Sequence, residues 1–216
     1  MEFSEVLAGR HATRQFARQQ VRKDELREIV REARQAPSWM NAQKGKVYIA
    51  VGDTAKAIRR EYEDRAAKGV IGISDFTVVH RTEWSADAQK NMDCFEKNVE
   101  KHLGDTLKDF VLAQDNLFHA PALLFLTLPK NASKWAVLDL GALEQTVLLC
   151  SANRGVASIV TYSIIKYPDI IRRHLPIPED EDIAMGLGLG YEDGDAPINA
   201  FRSKRVPLDR ILYIKD

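Results

Sequence analysis

Residues 122–128 (ALLFLTL) form an uncharged apolar run between Pro121 and Pro129. A run this apolar, this short and bounded by prolines reads as a central strand covered on both faces. A sheet built around it needs flanking strands and covering helices. Residues 47–51 (VYIAV), 156–161 (VASIVT) and 183–190 (IAMGLGLG) supply the further strands. Leu26, Ile29, Val30 and Ala33 recur at helical spacing, so residues 24–35 predict an amphipathic helix capped by Asp24 and closed by Pro37. Residues 54–68 and 86–104 predict two charged helices. In the second, Met92, Phe95, Val99, His102 and Leu103 share a face, which puts His102 at the edge of a core. Residues 136–154 predict a long helix with Leu140, Leu143, Val147 and Cys150 on one side and Gly155 past its end. Pro168 fits the first turn of a short helix over 168–175.

The segments between strands are long and uneven, unlike a regular doubly wound array. The expected fold class is therefore α+β, a mixed or antiparallel sheet flanked by helices, in a single domain over residues 1–216. From Glu192 the chain is polar, then ends in Ile211, Leu212, Tyr213 and Ile214. An apolar quartet separated from its own core by a charged tail reads as a strand that docks elsewhere. The extension over about 195–216 is thus expected on a partner subunit.

Lys plus Arg number 31 and Asp plus Glu number 31, so the basic excess of a nucleic-acid protein is missing and no nucleic acid is expected as partner. The five histidines are scattered and the two cysteines, Cys94 and Cys150, lie far apart. No metal-ligand spacing arises, and both thiols are expected to be buried and structural. The start of the chain is charged from residue 2, which argues against a signal peptide or anchor. The expected location is the cytoplasm, with no membrane association.

Three stretches carry candidate chemistry. Arg10 and Arg14 stand four apart after a short helix that breaks at Gly9; forked guanidinium donors suit a phosphate, and two solvated arginines are the plain alternative. Residues 37–43 (PSWMNAQ) offer several donors and acceptors, as a heteroaromatic ring edge requires or as any polar turn provides. Arg202, Lys204 and Arg205 form a cationic run that either is solvated or completes an anion site with the first pair. The glycines of residues 186–190 lack dinucleotide spacing and read as close-packing positions in a strand.

The order of these pieces resembles the nitroreductase family. The resemblance rests on RHATRQF at residue 10, APSWMNAQ at residue 36, DLGALEQ at residue 139, GVAS at residue 155, YPDIIR at residue 167, GLGY at residue 188 and RSKRVPLD at residue 202. It implies an intertwined homodimer with FMN between the subunits. It places Arg10, His11, Ala12, Arg14 and Arg205 on the phosphate and ribityl end, with Lys204 or Arg202 assisting. Pro37, Ser38, Trp39 and Asn41 come from the other subunit, and the turn of Tyr162, Ser163 and Ile164 lies beside the ring. The implied activity is that of an oxidoreductase. NADH or NADPH reduces the flavin at N5, and a nitroaromatic, quinone or similar small electron acceptor is reduced next, in a ping-pong cycle. No catalytic side chain is expected, since the flavin carries the chemistry. The chain departs from the family pattern at Ala12, where Ser is common and one hydroxyl contact to the cofactor is lost. Around the substrate it departs at Trp39 where a small residue is common, at Gln43-Lys44-Gly45 in place of Gln-Pro-Trp, and at Tyr162-Ser-Ile-Ile in place of a Pro-Xaa-Glu-Gly loop. The alternative readings are a flavin-binding carrier or sensor with little turnover, and a flavin enzyme of this fold performing dehalogenation or flavin fragmentation.

Overall fold

A computed structural model describes residues 2–216. Its helices are α1 (Phe3–Gly9), α2 (Lys23–Ala33), α3 (Gly52–Ala67), α4 (Ala86–Leu103), α5 (Leu107–Asp115), α6 (Lys134–Asn153) and α7 (Pro168–His174). Four strands, β1 (Lys46–Val51), β2 (Ala122–Pro129), β3 (Ala157–Val160) and β4 (Glu181–Gly190), form one sheet in the order β1-β2-β4-β3. Every pairing is antiparallel. The fold is thus α+β, as the sequence predicts, with the proline-bounded run in the middle of the sheet.

β2 is buried from Ala122 through Leu128 because both of its faces are covered. On one face lie Ile58 and Tyr62 of α3 with Ile170 and Ile171 of α7. On the other lie Leu26, Ile29 and Ala33 of α2 with Leu140, Val147 and Leu148 of α6. The strand's one polar core residue, Thr127, is satisfied: its hydroxyl donates to Glu181 Oε2 at 2.5 Å. Glu181 is itself buried and also accepts from Lys46 Nζ and from the Tyr48 hydroxyl. The desolvation penalty of this buried carboxylate is offset by the three donors, which hold its pKa below the ordinary glutamate range.

The glycines of β4 are close-packing positions, as expected. A Cβ on Gly186 would stand 2.4 Å from Ile164 Cγ2, and one on Gly190 would stand 2.7 Å from Phe16 Cδ1. Their absence lets the turn after β3 and the segment around Phe16 settle onto the strand. Helices α4 and α5 leave the sheet, and a separate small core of Val99, Leu103, Ala196, Ile198 and Phe201 ties α4 to the chain after β4.

Three expectations change. Asp24 is not the cap of α2: the helix starts at Lys23, Arg22 occupies the cap position without a side-chain bond, and Asp24 sits in the first turn, paired to Arg27. There its charge still favours the helix N-terminus. α5 is a helix the sequence reading omits, since its apolar residues lack a clean stripe. Cys94 is exposed and Cys150 half-buried, so the first thiol is no core residue. Ile211, Leu212, Tyr213 and Ile214 form no strand within the chain and lie exposed after a turn at Leu208–Arg210. His102 sits on the rim of the small core, its Nε2 3.0 Å from the Pro197 carbonyl.

Candidate functional site

The stretch from Arg10 to Phe16 is an extended arm laid along β3. Ala12 bridges Ser158 in parallel fashion, and Thr13 N–H donates to the Ser158 carbonyl at 2.9 Å. Phe16 pairs with Glu192 just past β4, and Ala17 N–H donates to the Tyr191 carbonyl. The arm is therefore held at both ends by sheet-like bonds.

Side chains fix it further. Asn199 is buried, and its Oδ1 accepts from Arg14 N–H at 2.7 Å and Gln15 N–H at 3.2 Å. Its Nδ2 donates to the carbonyls of Gln15 (2.7 Å) and Asp193 (3.0 Å). Glu192 Oε2 lies 2.5 Å from His11 Nε2 and accepts from the Thr13 hydroxyl at 2.8 Å, while His11 Nδ1 lies 2.7 Å from the Gly9 carbonyl. Both ring nitrogens of His11 are thus engaged inside the chain, and His11 positions the arm rather than presenting a free ring. Sequence reasoning misses Thr13, Glu192 and Asn199, because their partners lie about 180 residues away.

The arm and the tail bring the predicted cations together in pairs. Burial first, and the neighbouring charge of Arg205 second, hold Arg10 below the ordinary guanidinium range. Burial and then the charge of Arg202 do the same for Arg14. The guanidinium of Arg14 lies 5.7 Å from the Phe110 ring and 5.8 Å from that of Phe201, and its Nη1 donates to the Ala12 carbonyl. Arg202 donates to the carbonyls of Asn199 and Phe201. Arg205 curls onto Ser203, and Lys204 lies exposed beside it. Arg10 and His11 also border a cleft of about 190 Å³ with Thr13, Gly155 and Ser158.

Thr161–Ile165 follows β3 as a tight turn. Ser163 is buried; its N–H donates to Thr161 Oγ1 and its hydroxyl to Gln114 Oε1 at 3.1 Å. Gln114 belongs to α5, the helix that also carries Phe110 against Arg14, so α5 links the turn to the arginine arm. Tyr162 is exposed, its hydroxyl 3.4 Å from the Gly72 carbonyl.

Pro37 and Ser38 lie elsewhere, in a groove of about 510 Å³ with Val47, Tyr48 and Leu143. Asp139 holds this loop by accepting from Trp39 N–H at 3.0 Å, and Ser38 Oγ accepts from Gln43 N–H. Met40, Asn41 and Gln43 all have positive φ, and the loop turns Trp39 and Met40 outward, 58% and 82% exposed. Within one chain the structure thus gathers Arg10, His11, Ala12, Arg14, Arg202 and Arg205, and leaves Pro37, Ser38, Trp39 and Asn41 on a different surface.

Residues 7–191 match the model of the nitroreductase family. The chain is 27% identical to a 4-nitrobenzoate reductase of Nocardioides sp. (strain LMS-CY), over 96% of this chain and 87% of that protein. It is 25% identical to nitroreductase NfnB of Mycolicibacterium smegmatis, over 94% and 88% respectively. Among solved structures, the FMN and NADPH-dependent nitroreductase NfnB from Sphigopyxis sp. strain HMH superposes with a TM-score of 0.91 at 24% identity, covering 100% of both chains.

Proposed function

The chain belongs to the nitroreductase family, and from that premise we propose that it is an FMN-dependent oxidoreductase using NADH or NADPH to reduce a small nitroaromatic, quinone or similar electrophile. The observation that carries the reading is the convergence of the arm and the tail on Asn199, which accepts from Arg14 N–H through Oδ1 and from the Arg202 guanidinium through its carbonyl, so that cations from both ends of the chain meet around one rigid arm. Guanidiniums brought together from the two ends of a chain repel one another unless an anion joins them. A phosphate dianion converts that repulsion into charge-assisted hydrogen bonds. The donor set fits the phosphate of FMN.

FMN, held there, would supply the redox chemistry, hydride acceptance from the nicotinamide and electron transfer to the acceptor in a ping-pong cycle. The work of the chain is to hold and orient. Arg10, Arg14 and Arg205 take the phosphate, with Arg202 and Lys204 at its margin. The backbone of His11 and Ala12 follows the ribityl chain, and the Tyr162–Ile164 turn borders the ring. Ser38 and Asn41, with Pro37 and Trp39, reach the site from a second copy of the chain.

That second copy is the proposed partner. Phe3 and Leu7 of α1 and Trp135 and Leu138 of α6 are exposed on touching helices. α6 is long and apolar enough by length and composition to cross a bilayer, but Leu140, Val147 and Leu148 already bind it to the sheet. An exposed apolar face on an otherwise packed helix fits subunit contact. The free edge of β1 borders two adjoining hollows of about 510 and 530 Å³ that share Val30 and Val47. A partner's tail, with its exposed Ile211, Leu212 and Ile214, suits strand addition there. The proposed location is the cytoplasm.

Purified protein is expected to be yellow, to bleach on adding NADPH without air, and to recover its colour when a nitroaromatic or quinone is supplied. Protein that stays colourless through dialysis against excess FMN would overturn the proposal.

A further inference from the structure

Past the arm, on the far side of Phe16, lies a cleft that the cofactor reading leaves unused. It has a volume of about 500 Å³, and its walls include Arg18, Lys56, Arg59 and His119, with Gln15 and Gln20. Among the described residues, no carboxylate lines it. In a chain with equal numbers of Lys plus Arg and Asp plus Glu, three permanent cations around one hollow, Arg18, Lys56 and Arg59, with His119 beside them, are a local excess of positive charge.

The members differ in how firmly they are placed. Arg59 is half-buried; its Nε donates to the Asn116 carbonyl at 3.0 Å and its Nη2 to the Ala120 carbonyl at 2.6 Å, leaving Nη1 for another acceptor. Those bonds brace Leu117, Phe118 and His119, three successive residues with positive φ, and so set the backbone that carries His119. Burial, and then the charge of Arg59, hold His119 below the ordinary histidine range. Glu63 is the acidic group acting on both. Lys56 pairs with Asp53, whose carboxylate is fully in solvent. Arg18 is exposed and forms no ion pair among the described residues.

We propose that this cleft is a second anion site, separate from the cofactor cradle, which takes a phosphorylated small molecule. The volume is that of a small-ligand pocket. Forked guanidiniums at Arg18 and Arg59 with an ammonium at Lys56 match phosphate oxygens better than a lone carboxylate. A nucleic acid does not fit, because the cations form one hollow rather than a stripe. The tail of a second copy does not fit either: residues 202–216 carry five cations (Arg202, Lys204, Arg205, Arg210, Lys215) against two acids (Asp209, Asp216).

The probe is pyrophosphate, titrated calorimetrically into protein already saturated with FMN. Saturable binding is expected, weakened about tenfold or more in the double variant Arg18→Glu/Lys56→Glu. Both positions are exposed and outside the cofactor cradle, and retained flavin content reports that the variant is folded. Arg205→Ala, which belongs to the cofactor cradle, is expected to leave pyrophosphate binding within about twofold. The proposal is overturned by absent binding, by binding that survives the double charge reversal, or by citrate binding as tightly as pyrophosphate. Protein that takes up no FMN is titrated as purified, so failure of the cofactor reading and failure of this one give different results.

Discussion

Asn199 commits all four hydrogen-bonding positions of its amide to main-chain partners, two of them N–H groups of the arm that carries Arg14. Asn199→Ala leaves the part-buried amides of Arg14 and Gln15 without their acceptor. A fully buried loss of this kind costs about 1–3 kcal/mol, so in this partly solvated place urea unfolding is expected to show a fall of about 1–2 kcal/mol. Flavin retention should fall with it, because the arm loses its register. The arginines separate from this by mechanism. Arg14→Ala and Arg205→Ala are expected to weaken flavin retention on dialysis far more than Ala12→Ser changes it, since the serine adds one neutral hydrogen bond, worth about 0.5–1.5 kcal/mol. Unchanged flavin content in both arginine variants would place the phosphate elsewhere. Arg10, Arg14 and Arg205 stand out in the sequence because charge is a property of the residue. Asn199 and Glu192 do not, because their role arises from partners that only folding brings near.

α3 and α7 show the same divide between elements. Both are readable from spacing and from Pro168, but the clamp joining them is not. Arg65 on α3 donates to both carboxylate oxygens of Asp169 on α7, and Arg173 adds a third bond. Hydrogen bonding from Arg65 is the largest cause holding the Asp169 carboxyl down, to about 2. A carboxylate depressed in the folded state contributes stability above its unfolded value, near 3.8, and loses that contribution as the pH falls through the folded one. Asp169→Asn should therefore unfold more easily than wild type at pH 7, and the difference should shrink between pH 4 and pH 2. The carboxylate is half-exposed, so screening keeps the effect modest and salt weakens it. A gap that stays constant down to pH 2 would show that the side chain acts through packing alone. The sheet was readable from composition because β2 is apolar on both faces. α5 was not, since its apolar residues Leu107, Phe110, Val111 and Leu112 divide between the small core and solvent instead of forming one stripe.

At the scale of the molecule, one chain leaves much apolar surface in water. The arginine cradle and the Ser38 loop lie on different surfaces, and Trp39, Met40, Trp135, Leu138 and the terminal quartet all face water. The sequence marks the tail, whose apolar end is cut off from its own core by charge. It does not mark the edge of β1, because β1 becomes an edge only once the strand order is set. In the proposed dimer, a second copy would cover the apolar side of α6 and bring the Ser38 loop to the arginine arm. Leu138→Glu places a charge in the middle of that face, opposite its own counterpart if the contact is two-fold, while leaving the buried side of α6 untouched. Sedimentation is expected to show wild type as a dimer and Leu138→Glu as a monomer, and the monomer is expected to lose most of its flavin although Arg10, Arg14 and Arg205 are intact. Removing residues 208–216 should weaken association less, because the helical face remains. A Leu138→Glu chain that stayed dimeric would show that this face of α6 is not the contact, and one that became monomeric yet kept its flavin would mean that the Ser38 loop of a second copy plays no part in the site.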